Sequence, residues 1–253
     1  MAGESAPRRP SPCWLLLSIS GYASVYHNVL ATASGSNPSI HPSEPNYIWS
    51  EAGDNLSVLN DNDPFSASGP TNQSTTQHLS TLLRKAGKSW KFYQEDIDLQ
   101  TDSDGKPTNL PLPEDRWPVP LVSHSGVFDT TSNLNDSNAT SQYNYAAKHI
   151  PQVIFTDTNG RNNRTTTNPF SKYYAPLQQL CVDPASNRVA NYNWITPNQY
   201  NDVHTALTDG FAGLAGDSSN IRQGDNFLSR IVPVIMASSA YREGGVIILW
   251  WDE

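Results

Sequence analysis

"TTQHLSTLLRKAGKSWKFYQEDI", residues 75–97, sets the fold class. Leu79, Leu82, Leu83 and Ala86 recur at helical spacing, with Ser74 or Thr75 as the cap and Gly87 as the stop. The aromatic "WKFYQEDI" that follows suits a strand. Further strands are predicted at "PQVIFTD" (151–157) and "NYNWITP" (191–197). "GDNFLSRIVPVIMASSAYREGG" (224–245) carries an apolar helical face broken at Pro233 and ended by Gly244-Gly245. "VIILWW" (246–251) is a continuous apolar run, as a strand buried on both faces should be. Strand and helix therefore alternate, and the predicted class is α/β: a three-layer sandwich with a largely parallel central sheet. Ligands in such sheets bind where strands end at their carboxyl edge. "TPNQYNDVH", "WWDE" and the loop around Ser43 fall there in this reading.

Length and composition narrow the function classes. A chain of 253 residues holds one large α/β domain or two small ones. Charged residues are sparse, the balance is −8, and Lys and Arg are scattered, which argues against a general nucleic-acid or anionic-membrane surface. No stretch approaches the roughly 20 apolar residues of a membrane span. Polarity comes from Asn, Ser, Thr and Asp, as in loop-rich extracellular proteins. Sequons at Asn55, Asn72, Asn135, Asn138 and Asn163 agree with that setting. Cysteine is limited to Cys13 and Cys181, too few for a disulfide scaffold. Arg8, Arg9, the apolar run 13–19 and the small residues Ala23-Ser24 make residues 1–24 readable as a short secretory leader or as an N-terminal strand. Residues 53–75 read as a surface loop, and 101–141 as a second loop region inserted over one face.

Three clusters could carry chemistry. In "HPSEPNYIWSEAG" (41–53) Ser43 stands between Pro42 and Pro45 where a helix starts. There it is either the helix cap or a nucleophile at the positive end of the helix dipole. His41 beside it reads as structural. In "PNQYNDVH" (197–204) Asp202 and His204 could offer an oxygen and a nitrogen to one divalent metal, or simply make turn hydrogen bonds with Asn198 and Asn201. Asp252 and Glu253, after the apolar run, are adjacent carboxylates for which a metal is a natural partner if they are buried.

"HPSEPNYIW", "NDNDP", "HLSTLLRKAGKSWKFYQEDI", "YAAKHIPQVIF", "NWITPNQYNDVH", "GDNFLSRIVPVIMASSAY" and "VIILWWDE" follow one another in an order and spacing that resembles the phosphoesterase family. That family includes secreted acid phosphatases and bacterial-type phospholipases C. The resemblance implies an alkaline-phosphatase-like fold over residues 25–253 and hydrolysis of phosphate esters through a seryl-phosphate, with a divalent metal. By the same resemblance Ser43 is the nucleophile within Ser-x-Pro-Asn, which includes Asn46. Asn62, in preference to Asn60, holds a phosphoryl oxygen, and Asp202, His204, Asp252 and Glu253 bind metal, with Asn198 beside them. The expected substrate is a phosphate-ester small molecule or lipid, and the expected location extracellular. No carboxylate lies between Glu4 and Glu44, where family members place a first-strand ligand, and relatives continue beyond the "DE". The chain is accordingly expected to be a truncated member, incomplete at both ends. The alternative is a catalytically inert secreted glycoprotein that keeps the fold.

Overall fold

The computed structural model describes residues 20–24, 42–67, 69–128 and 140–252. Almost all of the expected leader lies outside them, as do Cys13, His41, Asn135, Asn138 and Glu253. The chain runs α1 (Ser43–Ala52), α2 (Leu79–Lys85), β1 (Trp90–Gln94), β2 (Leu99–Thr101), β3 (Pro107–Pro111), β4 (His124–Val127) and β5 (Gln142–Tyr145). It continues through α3 (Pro151–Ile154), β6 (Tyr174–Pro176), α4 (Gln179–Ala185), β7 (Tyr192–Thr196), α5 (Gly216–Met236) and α6 (Ser239–Arg242).

β1 is the middle strand of a three-stranded parallel sheet ordered β6–β1–β7, with Phe92 opposite Tyr174 on one side and Trp194 on the other. Successive strand side chains point to opposite faces, and β1 uses both. Phe92 joins a core with Ile48 of α1 and Val153 and Ile154 of α3. Tyr93, the next residue, packs with Leu180 of α4 and Phe227 of α5. Helices thus cover both faces of the sheet. The pairs β2–β3 and β4–β5 are small antiparallel additions. They lie largely in 101–141, which also buries Trp117, Val119, Leu121 and Phe128 and is more than a surface loop.

A helix over Leu79–Lys85 and strands over Trp90–Gln94 and Tyr192–Thr196 form within the predicted stretches, the helix capped at His78 rather than at Ser74 or Thr75, and three other expectations are corrected. "PQVI" is helical, because Pro151 in the first turn presets helical φ, and only Phe155 makes a bridge, to Gln73. Residues 246–251 form no strand. Val246 is 82% exposed and Ile248 79%, and no described strand pairs with them, so the apolar run lacks the two neighbours that burial on both faces requires. α5 begins eight residues before Gly224 and continues three residues past Pro233.

The rotation of α2 is the most instructive departure. Its leucines do not define the inner face: Leu79 and Leu82 are exposed while Ser80 and Thr81 are fully buried. A polar bridge decides this. Glu51, in the last turn of α1, faces His78 Nδ1 at 3.0 Å and accepts from the Ser80 amide at 2.6 Å. Its other oxygen accepts from Gln152 Nε2 at 3.0 Å. His78 Nε2 lies 2.8 Å from Asp157, which also accepts from the Thr81 hydroxyl, and Phe155 stacks on the imidazole at 4.1 Å. Gly53 closes α1 in the left-handed conformation (φ 70°), returning its N–H to Trp49. Burial opposes charge on His78, but hydrogen bonds to Asp157 and Glu51 prevail and hold its pKa above the ordinary value of 6.5. Burial likewise pushes Asp157 up, and the bonds from His78 and Thr81 outweigh it and hold the carboxyl below 3.8.

The bridge has a pH signature. Stability from His78 is fully present below 6.5 and is lost as pH rises through its raised folded value. Stability from Asp157 is present above 3.8 and is lost as pH falls through its lowered folded value. Urea unfolding across pH should therefore peak between 3.8 and 6.5 on account of this pair. Replacing Glu51 by Ala should cost about 3–5 kcal/mol, because it removes one of the two carboxylates facing the buried His78 and leaves the Ser80 and Gln152 amides without an acceptor. A loss under about 1 kcal/mol would show that the bridge is not what fixes α2.

Candidate active site

Ser43 opens α1 and is buried, but it is not the cap. Pro42 occupies that position in extended conformation and makes no side-chain cap hydrogen bond. Asn46, three residues on along the same face, is buried too. The first turn of α1 is tied to the loop that follows it. The Glu44 amide donates to Asp61 Oδ1 at 3.1 Å, and the Thr71 hydroxyl donates to Glu44 Oε1 while lying 3.3 Å from the Asn62 carbonyl.

A cavity of about 480 Å³ opens beside this junction, lined by Asp61, Asn62, Asp63, Ser123, Lys148 and Gln199 among others. Lys148 is ion-paired with Asp61, and Ser123 donates to Asp63 at 2.7 Å while accepting from the Ala147 amide at 2.8 Å. Asn62 faces Gly69, its Nδ2 donating to that carbonyl at 3.1 Å, and its backbone N–H is taken by the Asn60 side chain. Asn60 thus shapes the turn that presents Asn62. Burial pushes the Glu44 carboxyl up to about 8, with the Thr71 bond opposing and the charges of Asp61 and Asp63 adding to the rise. Glu44 Oε2 has no partner and is sealed from solvent, which fits a neutral carboxyl.

The other predicted cluster sits beyond the carboxyl end of β7. Asn198 donates to Asp96 Oδ2 at 2.7 Å and Asn201 to both oxygens of Glu95, so the loop hangs on the two acids that follow β1. Asp202 Oδ1 accepts from the His204 amide at 2.8 Å, and Oδ2 lies 3.3 Å from His149 Nδ1. The His149 ring stacks on Tyr47 of α1 at 4.9 Å and stands edge-on to His204 at 6.4 Å. Tyr47 also meets Trp194 of β7, against which Trp250 packs at 5.6 Å. The helix of Ser43, the Asp202–His204 loop and the segment leading to Asp252 therefore share one aromatic cluster.

Among the described residues no three His, Cys, Asp or Glu side chains gather around a point, and Glu253 lies outside those residues. Asp202 Oδ1 is engaged by the His204 amide, and His204 is exposed. Other observations bear on the expected setting. Asn55 is buried with its amide donating to Val58, so this sequon is closed to modification in the folded chain. Cys181 is exposed and unbridged. Among the described residues no helix is long and apolar enough to cross a membrane.

Sequence reasoning missed Glu95 and Asp96, Lys148 and His149. The first pair was within reach: "EDI" follows directly on an aromatic strand, and carboxyl ends of parallel strands are where ligands bind. Lys148 and His149 carried no local signal, because they reach the site only through the short turn before α3.

Comparison with known proteins gives one family. Residues 37–253 match a model described as the phosphoesterase family. Among curated proteins the chain is similar to a phosphate-repressible acid phosphatase of Penicillium chrysogenum, 24% identical over 84% of this chain and 38% of that protein. It is similar also to a probable acid phosphatase of Kluyveromyces lactis, 28% identical over 84% of this chain and 38% of that protein. An acid phosphatase of Aspergillus fumigatus is 25% identical over 84% of this chain and 36% of its own length. The chain thus spans under two fifths of the length of these relatives.

Glu44 offers a test of the buried carboxyl. Its folded pKa of about 8 exceeds the ordinary 4.5, so between those values only the folded state holds the proton and stability falls as pH rises. Glu44→Gln should abolish that fall. The two proteins should unfold alike near pH 4, and the variant should gain on the parent by up to about 1.4 kcal/mol per pH unit on the way to pH 8. Parallel curves of unfolding free energy against pH would show that Glu44 is ionised in the folded chain.

Proposed function

The chain belongs to the phosphoesterase family, and from that premise we propose that it hydrolyses phosphate esters in the manner of an acid phosphatase, through attack by Ser43. The observation that supports this best is the pairing of the first turn of α1 with the cavity lined by Asn62 and Lys148, joined by the hydrogen bond from Glu44 to Asp61. A helix N-terminus and a lysine both favour a phosphate. In this reading Ser43 Oγ forms a bond to phosphorus as the ester oxygen leaves with the electron pair. Water then hydrolyses the seryl-phosphate and frees inorganic phosphate. The Asn62 amide and the Asn46 side chain orient phosphoryl oxygens, and Lys148 offsets the charge that develops on them. An alkaline-phosphatase-like architecture and an extracellular setting belong to the same reading.

Dependence on a divalent metal is part of the proposal, with Asp202, His204, Asp252 and Glu253 as its ligands. A bound cation would lower the serine hydroxyl pKa. The described donors on their own do not converge, so no step here is routed through that ion. This same observation favours a second reading, a catalytically inert family member that retains the cleft.

Release of p-nitrophenol from p-nitrophenyl phosphate separates the two. The parent chain should turn over with added divalent metal and stop on chelation. Ser43→Ala should lose at least about a thousandfold in kcat. Lys148→Ala should lose about tenfold or more in kcat/KM. Equal rates for the parent and Ser43→Ala would remove serine from the mechanism, and silence from the parent would establish the inert reading for this chain.

A further inference from the structure

A second cavity, of about 490 Å³, opens at the carboxyl end of β1 and is lined by Asp96, Asp98, Arg116, His124, Tyr143 and Arg164 among others. It neighbours the cavity of Lys148: Ser123 lines one and His124, the next residue, lines the other. His124 Nε2 lies 2.8 Å from the Asp96 carbonyl, which fixes the partition between them. Arg116 and Arg164 come from distant parts of the chain, yet both face this space. Neither guanidinium makes an ion pair or hydrogen bond among the described residues, whereas Arg84, Arg188 and Arg222 are held by Asp157, Asp183 and Asp225; of the unpaired arginines, these two line the cavity together.

The carboxyls in the wall do not cancel the two arginines. Burial and the neighbouring Glu95 charge push the Asp96 carboxyl up, and its Oδ2 is taken up by Asn198 Nδ2 at 2.7 Å and the Asn144 amide at 3.0 Å. Burial pushes the Asp98 carboxyl up to about 8, which leaves it uncharged through the neutral range. Backbone strain marks the same place. Asp96 and Asp98 both adopt positive φ, 65° and 51°, on either side of the buried Ile97. Non-glycine residues held there cost free energy and concentrate at ligand sites.

We propose that this cavity binds a second phosphate group of the substrate, carried on the alcohol that leaves, with Arg116 and Arg164 as its clamp. The proposal rests on the phosphate-ester reading above and narrows it to substrates bearing two phosphates. Guanidinium forks match phosphate oxygens two at a time, and an unpaired arginine gives up no internal partner to do so.

Titration calorimetry on the full chain carrying Ser43→Ala tests this without turnover, using fructose 1,6-bisphosphate, fructose 6-phosphate and inorganic phosphate as probes. The bisphosphate should bind at least tenfold more tightly than the monophosphate, and adding Arg116→Ala and Arg164→Ala should erase that difference while leaving the monophosphate unchanged. Both arginines are exposed, so the substituted chain should keep the parent's thermal transition, which is measured alongside. Equal affinity for the two sugar phosphates, or a preference that survives the double substitution, overturns the proposal. So does inorganic phosphate that matches the bisphosphate in affinity and is lost with the arginines, because the site would then take the free anion. Failure of the parent to hydrolyse p-nitrophenyl phosphate counts against the mechanism of Ser43 and is read independently of these affinities.

Discussion

A histidine held between two carboxylates organises this molecule. His78 lies between Glu51 and Asp157, and through them α1, α2 and the segment after α3 are fixed to one another. The arrangement satisfies more than the ion pair. Glu51 also takes a backbone amide from α2 and an amide from α3, so each of its oxygens is used. A buried charge cluster of this sort contributes little net stability over an apolar core of equal volume, but it tolerates only one geometry. Here that geometry sets which face of α2 turns inward and the position of the helix that begins with Ser43.

From that fixed helix the site follows. The N-terminal turn of α1 is tied to the 61–71 loop by Glu44, Asp61 and Thr71, while Tyr47 one turn on holds His149 and hence Asp202. The acids at the end of β1 hold the opposite loop through Asn198 and Asn201. Ser43, Asn46 and the 61–71 loop are therefore anchored to elements whose places are set by packing, and the two cavities share a wall made of consecutive residues. Membership of the phosphoesterase family accords with this layout, in a chain that covers a minor part of its relatives' length.

What could be read from the residues was local. The aromatic run at Trp90–Tyr93 announces a strand and Tyr192 to Thr196 announces another, while burial on both faces was expected at 246–251 and is found at Phe92 and Tyr93 instead. The inward face of α2 could not be read, because hydrophobic periodicity assumes that apolar contact decides rotation. At Ser80 and Thr81 buried hydrogen bonds to Glu51 and Asp157, about thirty and eighty residues away, decide it instead. "PQVIFTD" failed as a strand for a smaller reason, the proline that presets its first turn. Ser43 was picked out at the start of a helix, with the cap as one of its two readings, and Pro42 takes the cap position instead. Asp202 and His204 were found as residues while their neighbour His149 was not, because stacking on Tyr47 is a contact between positions a hundred apart.

The bare run from Val246 to Trp251 has a consequence for the molecule in solution. It presents exposed β-branched and aromatic side chains outside any described strand, the composition from which intermolecular cross-strand stacks are built. Mutual repulsion from an overall charge of −8 opposes such encounters at low ionic strength. Added salt removes that protection and leaves the apolar attraction intact. Colloidal behaviour of this chain is thereby set by a contest between one short sticky ribbon and the acidity of everything around it.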